Sequence, residues 1–299
     1  PLTDEHKNMA SSIQKVLETL AKHSIDSLDN TVSTDNLVIA GGVAQNSSMN
    51  GYLLKNSNFK NVYAHPSSSD RGNALGASLY FVNVYLGEKI HLDGPIIYGG
   101  SEFSDNEIAD LLEKSGLEAV EVSSVTSVAA ELIASGSIIG WFQGRSELGA
   151  RALGNRSILG DPRKAENKEI INSKVKHREW FRPFAPSVLD KDLIEWFDID
   201  RQLPHMQFTV PVKEKYRGQV PAITHVDGSA RVQSVSNSIN PLYYELIERF
   251  KAVSGVPMVI NTSFNDSGDA IVEPPGDAIE CFQKTDMDAL IIGSFVVCK

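Results

Sequence analysis

Trp141-Phe-Gln-Gly144-Arg145-Ser-Glu147-Leu-Gly149-Ala-Arg151-Ala-Leu-Gly154-Asn155-Arg156-Ser157-Ile-Leu159 is the most informative stretch of the chain. A short apolar run, Ile138–Phe142, reads as a strand that exits into a loop carrying three arginines and three glycines. Glycine lets backbone approach a ligand closely, and guanidinium forks suit bidentate capture of phosphate or carboxylate oxygens. Glu147 is expected to orient one of these arginines rather than to act as a base. The plainer alternative is a solvated charged loop with salt bridges.

Downstream lies a second basic cluster, Asn172-Ser-Lys174-Val-Lys176-His177-Arg178-Glu179-Trp180-Phe181-Arg182-Pro183-Phe184-Ala-Pro186. Cations interleaved with aromatics suit an anion pocket or a nucleic-acid surface. Lys+Arg is 28 against Asp+Glu 38, a net charge of −10, which favours the pocket over nucleic acid or an anionic membrane. Arg182-Pro183 requires extended backbone. Thr224-His225-Val226-Asp227-Gly228-Ser229-Ala230-Arg231 reads as a turn ending in arginine before a strand. His225 beside Asp227 is either a general-base pair or, more ordinarily, a hydrogen-bonding loop residue. Pro257–Asn261 is a strand emptying into Thr262-Ser263-Phe264-Asn265, where a binding hydroxyl fits better than a nucleophile, because no GxSxG elbow is present.

Toward the amino end, Leu37-Val-Ile-Ala-Gly41-Gly42-Val-Ala-Gln-Asn46 is a strand running through a double glycine into a helix over Ser47–Leu54. It is either a tight turn of an α/β domain or an anion-facing helix start. Ser69-Asp70-Arg71-Gly72 puts a carboxylate on a loop ahead of a helix over Gly72–Tyr85. Asp70 reads as an N-cap or a metal ligand. Met9–Leu20 has helical spacing, Val62–Ala64 reads as a strand, and the strand–helix alternation predicts parallel pairing. Helices are also expected over Asn106–Ser115, Val125–Ala134, Pro241–Val253 and Pro275–Lys284. Further strands are expected over Gln207–Val212, Val232–Val235 and Ala289–Ile292. The aperiodic Gly87–Gly100 stretch sets the expected domain boundary, dividing residues 1–95 from 96–299.

With 299 residues the chain has length for about two domains. Two cysteines without metal spacing fit a reducing, cytoplasmic setting, and no apolar run reaches the roughly 18 residues of a membrane span. The chain opens on Pro1 and leads straight into a helical pattern, which reads as a fragment or processed product.

Segments 37–46 and 69–77, in that order, resemble the last subdomain of the actin/sugar-kinase/chaperone ATPase fold. The version they resemble is that of threonylcarbamoyl-transfer proteins and NodU/TobZ-type carbamoyltransferases. GRSELGARALGNRSIL, KHREWFRPFAPSVL, THVDGSARVQSV and PMVINTSFN resemble, in order, the carboxyl-terminal YrdC-like domain of the same family. The resemblance implies an α/β chain with α+β character in its second domain. A partial ATPase-like subdomain would precede a YrdC-like twisted-sheet domain.

The implied activity joins carbamoyl phosphate and ATP, with Mg²⁺, into carbamoyl adenylate. The carbamoyl group then passes to a hydroxyl of a small molecule or sugar. Arg151, Lys176, Arg182 and Arg231 would be the cations around the phosphates, and Asn261 and Ser263 neutral donors. Arg145, Arg156, Lys174 and Arg178 serve equally well as supporting ion-pair residues. Gly41, Gly42 and Asn46 would lie along the nucleotide of the ATPase-like part. Asp70 would coordinate Fe²⁺, whose histidine ligands belong to a preceding half of the protein. His6 and His23 do not supply that pair and read as surface residues. Two alternatives remain: a threonylcarbamoyl-adenylate factor for tRNA, and a non-catalytic nucleotide-binding module.

Overall fold

The computed structural model describes residues 2–29, 31–90 and 97–299. The chain forms two compact units, Pro1–Asp93 with Gln207–Thr209, and Gly94–Met206 with Val210–Lys299. The boundary expected between residues 95 and 96 falls outside the described residues. Among the described residues no helix is long and apolar enough to cross a membrane.

In the first unit, a helix over Asp4–Asp29 packs on a second over Ser47–Asn56. Strands β1 (Asn36–Ile39) and β2 (Asn61–Ala64) pair in parallel, as the alternation predicts, with Leu37 opposite Val62. The stretch expected to be one helix over Gly72–Tyr85 is a short 3₁₀ turn, an α-helix over Asn73–Tyr80 and a π-turn over Phe81–Tyr85. Ser69 caps the 3₁₀ turn by accepting the Arg71 amide, so Asp70 is not the cap.

The second unit is built on one mixed sheet of eight strands. They are β3 (Ala119–Glu121), β4 (Ile139–Phe142), β5 (Arg156–Gly160), β6 (Ala185–Leu189), β9 (Gln233–Val235), β10 (Met258–Ser263), β11 (Ala289–Ile292) and β12 (Phe295–Cys298). Two short strands, β7 (Thr209–Pro211) and β8 (Ser229–Arg231), lie outside it. The spatial order is β3-β12-β11-β4-β5-β10-β6-β9. Pairing is parallel for β11/β4 and β6/β9, and antiparallel elsewhere.

Every residue of β4, β5, β6 and β11 is buried. Such strands carry no polar alternation, which is why they read as continuous apolar runs or escape notice. Two of them, β5 and β6, were not expected. β5 lies in the glycine- and arginine-dense block. β6 contains Pro186, which ordinarily argues against a central strand. Pro186 is tolerated because β9 pairs only with Ser187–Leu189, leaving Pro186 partnered on the β10 side alone. Helices Val125–Ser135 and Pro241–Ser254 pack together, as do Asp105–Ser115 and Pro275–Lys284. The helix Asp105–Ser115 begins with a Ser104/Glu107 capping box and ends at Gly116 in the left-handed region.

Candidate active site

The predicted cations of the second unit are set up by an irregular turn. A short helix, Glu166–Ile170, widens into a π-turn over Ile171–Val175 that ends at Lys176. His177 follows in the left-handed region with φ 42°, its Nδ1 2.9 Å from the Asp266 carboxylate. A non-glycine residue held there stores roughly 1–3 kcal/mol of strain, and such outliers cluster at functional sites. Lys176 is buried at 2% exposure, whereas Arg178 and Arg182 beyond the kink reach solvent.

Lys176 Nζ donates to Ser263 O at 2.9 Å, Ser263 Oγ at 3.2 Å, Asn265 O at 2.7 Å and Asn265 Oδ1 at 2.6 Å. It therefore ties the kinked turn to the carboxyl end of β10. Burial first, and then Arg178, push its pKa down to about 7. An ammonium poised near neutrality is rare outside working sites.

Arg178 is the residue whose importance the sequence understates. Its Nε donates to Asn172 Oδ1 at 2.7 Å and its guanidinium lies 4.8 Å from the Phe184 ring centre. These two contacts fix the plane of the fork. It stands in electrostatic reach of Lys176, Arg182 and Arg231. Arg231, on β8, is pushed down to about 9 by burial, then by Arg151 and Arg178, and Arg178 to about 10 by burial and then Arg182. Arg178 and Arg231 make no ion pair among the described residues. Arg182 has a loose one, 3.7 Å from exposed Glu179. Five cations, Arg151, Lys176, Arg178, Arg182 and Arg231, thus share one neighbourhood, in which Asp266 acts on Lys176 and Glu179 on Arg178 and Arg182. Such an arrangement stores positive potential that an oxyanion ligand would relieve.

The other arginines of the glycine-rich block do different things. Arg156 is fully buried and donates to the carbonyls of Gln143, Gly144, Asn155, Ser101 and Glu273, with its guanidinium 3.6 Å over the Phe142 ring. It is a structural bracket. Arg145 is exposed, 3.4 Å from Glu102 and donating to Gly100 O, and does not join the cation group. Glu147, expected to orient an arginine directly, instead holds backbone amides. Its Oε1 accepts the backbone amides of Leu153, Asn155 and Arg156.

Asn261, expected as a ligand donor, spends its amide protons internally, on Ala152 O, Ser187 Oγ and Gln233 Oε1. Ser263 sits at the end of β10 and donates to Asn265 Oδ1 at 2.6 Å while accepting from Lys176. Asn265, not singled out among the candidates, is the main acceptor for Lys176. His225 and Asp227 do not bond each other: both face Ser229 Oγ, at 3.2 and 2.6 Å. Burial holds His225 neutral, below the usual histidine range. Gly228 at φ 79° closes this turn ahead of Arg231, and a Cβ there would strike the Arg217 guanidinium.

In the first unit, Gly41 (φ 88°) and Gly42 have open space where a Cβ would stand, which suits close approach of a ligand. Asn46 is an N-cap: its Oδ1 accepts Met49 N at 2.9 Å and its Nδ2 donates to Gln14. Asp70 is exposed, and no group of three His, Cys, Asp or Glu side chains is assembled to hold a metal among the described residues. One exposed carboxylate is not a donor set for Fe²⁺. His6 and His23 are exposed.

The chain matches the family model for the carbamoyltransferase N-terminus over residues 2–79 and that for the carbamoyltransferase C-terminus over residues 130–299. It is 43% identical to nodulation protein NolNO of Sinorhizobium fredii, over all of this chain and 45% of that protein. It is 33% identical to a 3'-hydroxymethylcephem-O-carbamoyltransferase of Streptomyces clavuligerus, over 86% of this chain and 47% of that enzyme. The chain spans about half the length of the curated relatives it matches. Distant structural likenesses are to P. abyssi Sua5 complexed with L-threonine and to full-length HypF in its phosphate- and nucleotide-bound form. The first has a TM-score of 0.40 and 16% identity, over 56% of this chain and 46% of that one. The second has 0.43 and 13%, over 79% and 36%. With more than half of its length matched by the carboxyl-terminal model, the chain belongs to the carbamoyltransferase family.

Proposed function

We propose that the second unit activates the carbamoyl group in an ATP-dependent O-carbamoyltransferase. Loss of inorganic phosphate from carbamoyl phosphate to water leaves carbamate. A carbamate oxygen then attacks the α-phosphorus of ATP, the bond to the β-phosphate oxygen breaks, and pyrophosphate leaves. Carbamoyl adenylate remains, and a hydroxyl of a small molecule or sugar takes its carbamoyl group with release of AMP. Mg²⁺ would travel with the triphosphate. The relatives' names, a nodulation protein and a cephem O-carbamoyltransferase, support a hydroxyl acceptor.

The observation that carries this reading is the group of five cations gathered from three separate stretches of chain. Every step of the activation either moves phosphoryl negative charge or expels an anion, and fixed cations stabilise charge that develops there. Arg231, and Arg178 at the edge of solvent, make no ion pair among the described residues and would hold phosphate oxygens. Lys176, with a pKa near neutrality, would stabilise the carbamate or exchange a proton with it. Its present bonds to Ser263 and Asn265 keep the ammonium in place beside the end of β10. Glycines 41 and 42 would serve the transfer step in the ATPase-like part, where iron would need ligands beyond Asp70.

Mass spectrometry after incubation with ATP and ¹³C-carbamoyl phosphate tests the proposal. Labelled carbamoyl adenylate is the expected product. A product that forms only when threonine is added would replace this reading with threonylcarbamoyl-adenylate synthesis. ATP bound without any adenylate would leave a nucleotide-binding module.

A further inference from the structure

We infer that Glu147 is a positioning residue for Arg151: its carboxylate clamps the loop that follows Arg151 and so sets that guanidinium among the phosphate-binding cations. The inference rests on the phosphate reading of the cation group. One carboxylate oxygen accepts three amides of that loop, Leu153 N at 2.7 Å, Asn155 N at 2.7 Å and Arg156 N at 3.2 Å. The fourth, Gly154 N, is held by Ser157 Oγ at 3.0 Å.

The carbonyls of the same residues are held from the other side by buried side chains. Ala152 O accepts from Asn261, Leu153 O from both Tyr98 and Gln233, and Gly154 O from Trp141 Nε1. Asn155 O accepts from the Gln143 amide. Every peptide group from the Ala152 carbonyl to the Arg156 amide therefore has a partner, and apart from Glu147 and Tyr98 these partners sit in or beside β4, β5, β9 and β10. Arg151 is the last residue before this clamped run. Its backbone is therefore anchored on the carboxyl side by the clamp.

A carboxylate suits the centre of such a clamp because it is acceptor-only. Burial pushes the Glu147 pKa up, while the amides of Asn155, Leu153 and Arg156 favour the charged form. Gln in its place keeps the shape, weakens the acceptor and introduces two donors that find no described acceptor set. The loop would then loosen without losing its fold, because Arg156 and the strand partners are untouched.

A double-mutant cycle on calorimetric ATP affinity, with Mg²⁺ present, tests the route. Arg151→Ala is expected to weaken binding roughly 10–100-fold, the range for losing one charge-assisted hydrogen-bonding partner. Glu147→Gln should weaken it about tenfold, and the double variant should bind no more weakly than Arg151→Ala alone. Hydrogen exchange should quicken at residues 151–157 in Glu147→Gln while β10 and β11 stay protected, a readout that distinguishes loop release from general destabilisation. Additive losses, or wild-type affinity in Glu147→Gln, would overturn the inference. Wild-type affinity in Arg151→Ala would instead sink the phosphate reading beneath it. Should Glu147→Gln fail to fold, Tyr98→Phe removes the hydroxyl that donates to Leu153 O and accepts from Asn240 Nδ2. Its smaller loss must likewise vanish in the Arg151→Ala background, and persistence there would overturn the inference.

Discussion

The two units treat their expected ligand residues in opposite ways. In the second, cations separated by long stretches of chain meet near β8 and the end of β10, beside a sheet in which every residue of β4, β5, β6 and β11 is buried. In the first, Asn46 is spent as a helix cap, Asp70 is exposed, and only the glycines keep open space before them. The first unit also shows much apolar surface. Met9, Ile13, Val16 and Leu20 are exposed along its long helix, and the helix Asn73–Tyr80 buries no residue. A closed core fixes side chains to within hydrogen-bonding tolerance; an open face does not. The proposed activation chemistry accordingly draws on the second unit's cations.

The sharpest way to break this contrast is through the arginines of residues 145–156, which share a motif and not a job. Arg156→Ala removes a donor from five carbonyls, of which, among the described residues, only Asn155 O and Ser101 O keep a backbone amide, and should cost about 3–5 kcal/mol in chemical denaturation. Loss of under 1 kcal/mol would mean that the bracket is dispensable. Lys176→Met addresses the cation group and removes its tie to Ser263 at the end of β10 and to Asn265. The folded pKa of Lys176, about 7, lies below the usual 10.5, so between those pH values the unfolded chain binds the extra proton. Stability should rise with pH across that window, by up to about 1.4 kcal/mol per unit. The rise should flatten in Lys176→Met; an identical slope in the variant would show that another group titrates. The smallest effect belongs to the first unit. Asn46→Ala should lower stability there by about 1 kcal/mol, as expected for a lost cap, with ATP affinity unchanged. Weakened ATP binding in a stable variant would restore Asn46 as a ligand residue.

Much of the fold was legible before the structure. The longer helices, such as Pro241–Ser254 and Pro275–Lys284, and the parallel β1/β2 pair follow from period and punctuation, because those signals are local, whereas the short helices Glu166–Ile170, Leu193–Trp196 and Glu214–Arg217 do not. β5 and β6 were not legible: one hides its apolar face inside a charged motif, and the other carries Pro186 at a position where a single neighbour makes it harmless. For the site, the motif blocks show which residues carry charge but not where each side chain points. Arg145, Arg151 and Arg156 look alike in sequence, yet one lies on the surface, one joins the cation group and one is buried in the core. Only the burial and bonding of each separates them, and those depend on contacts far along the chain. The same is true of Asn265, whose hold on Lys176 depends on the π-turn and the left-handed His177.

Pyrophosphate release from ATP, with and without carbamoyl phosphate, by the wild-type chain and by Arg231→Ala, tests the central claim most directly. The account predicts release that requires carbamoyl phosphate and falls at least a hundredfold in the folded variant, about 2.7 kcal/mol of lost transition-state stabilisation. Release that ignores carbamoyl phosphate, or that survives in Arg231→Ala at the wild-type rate, would contradict it.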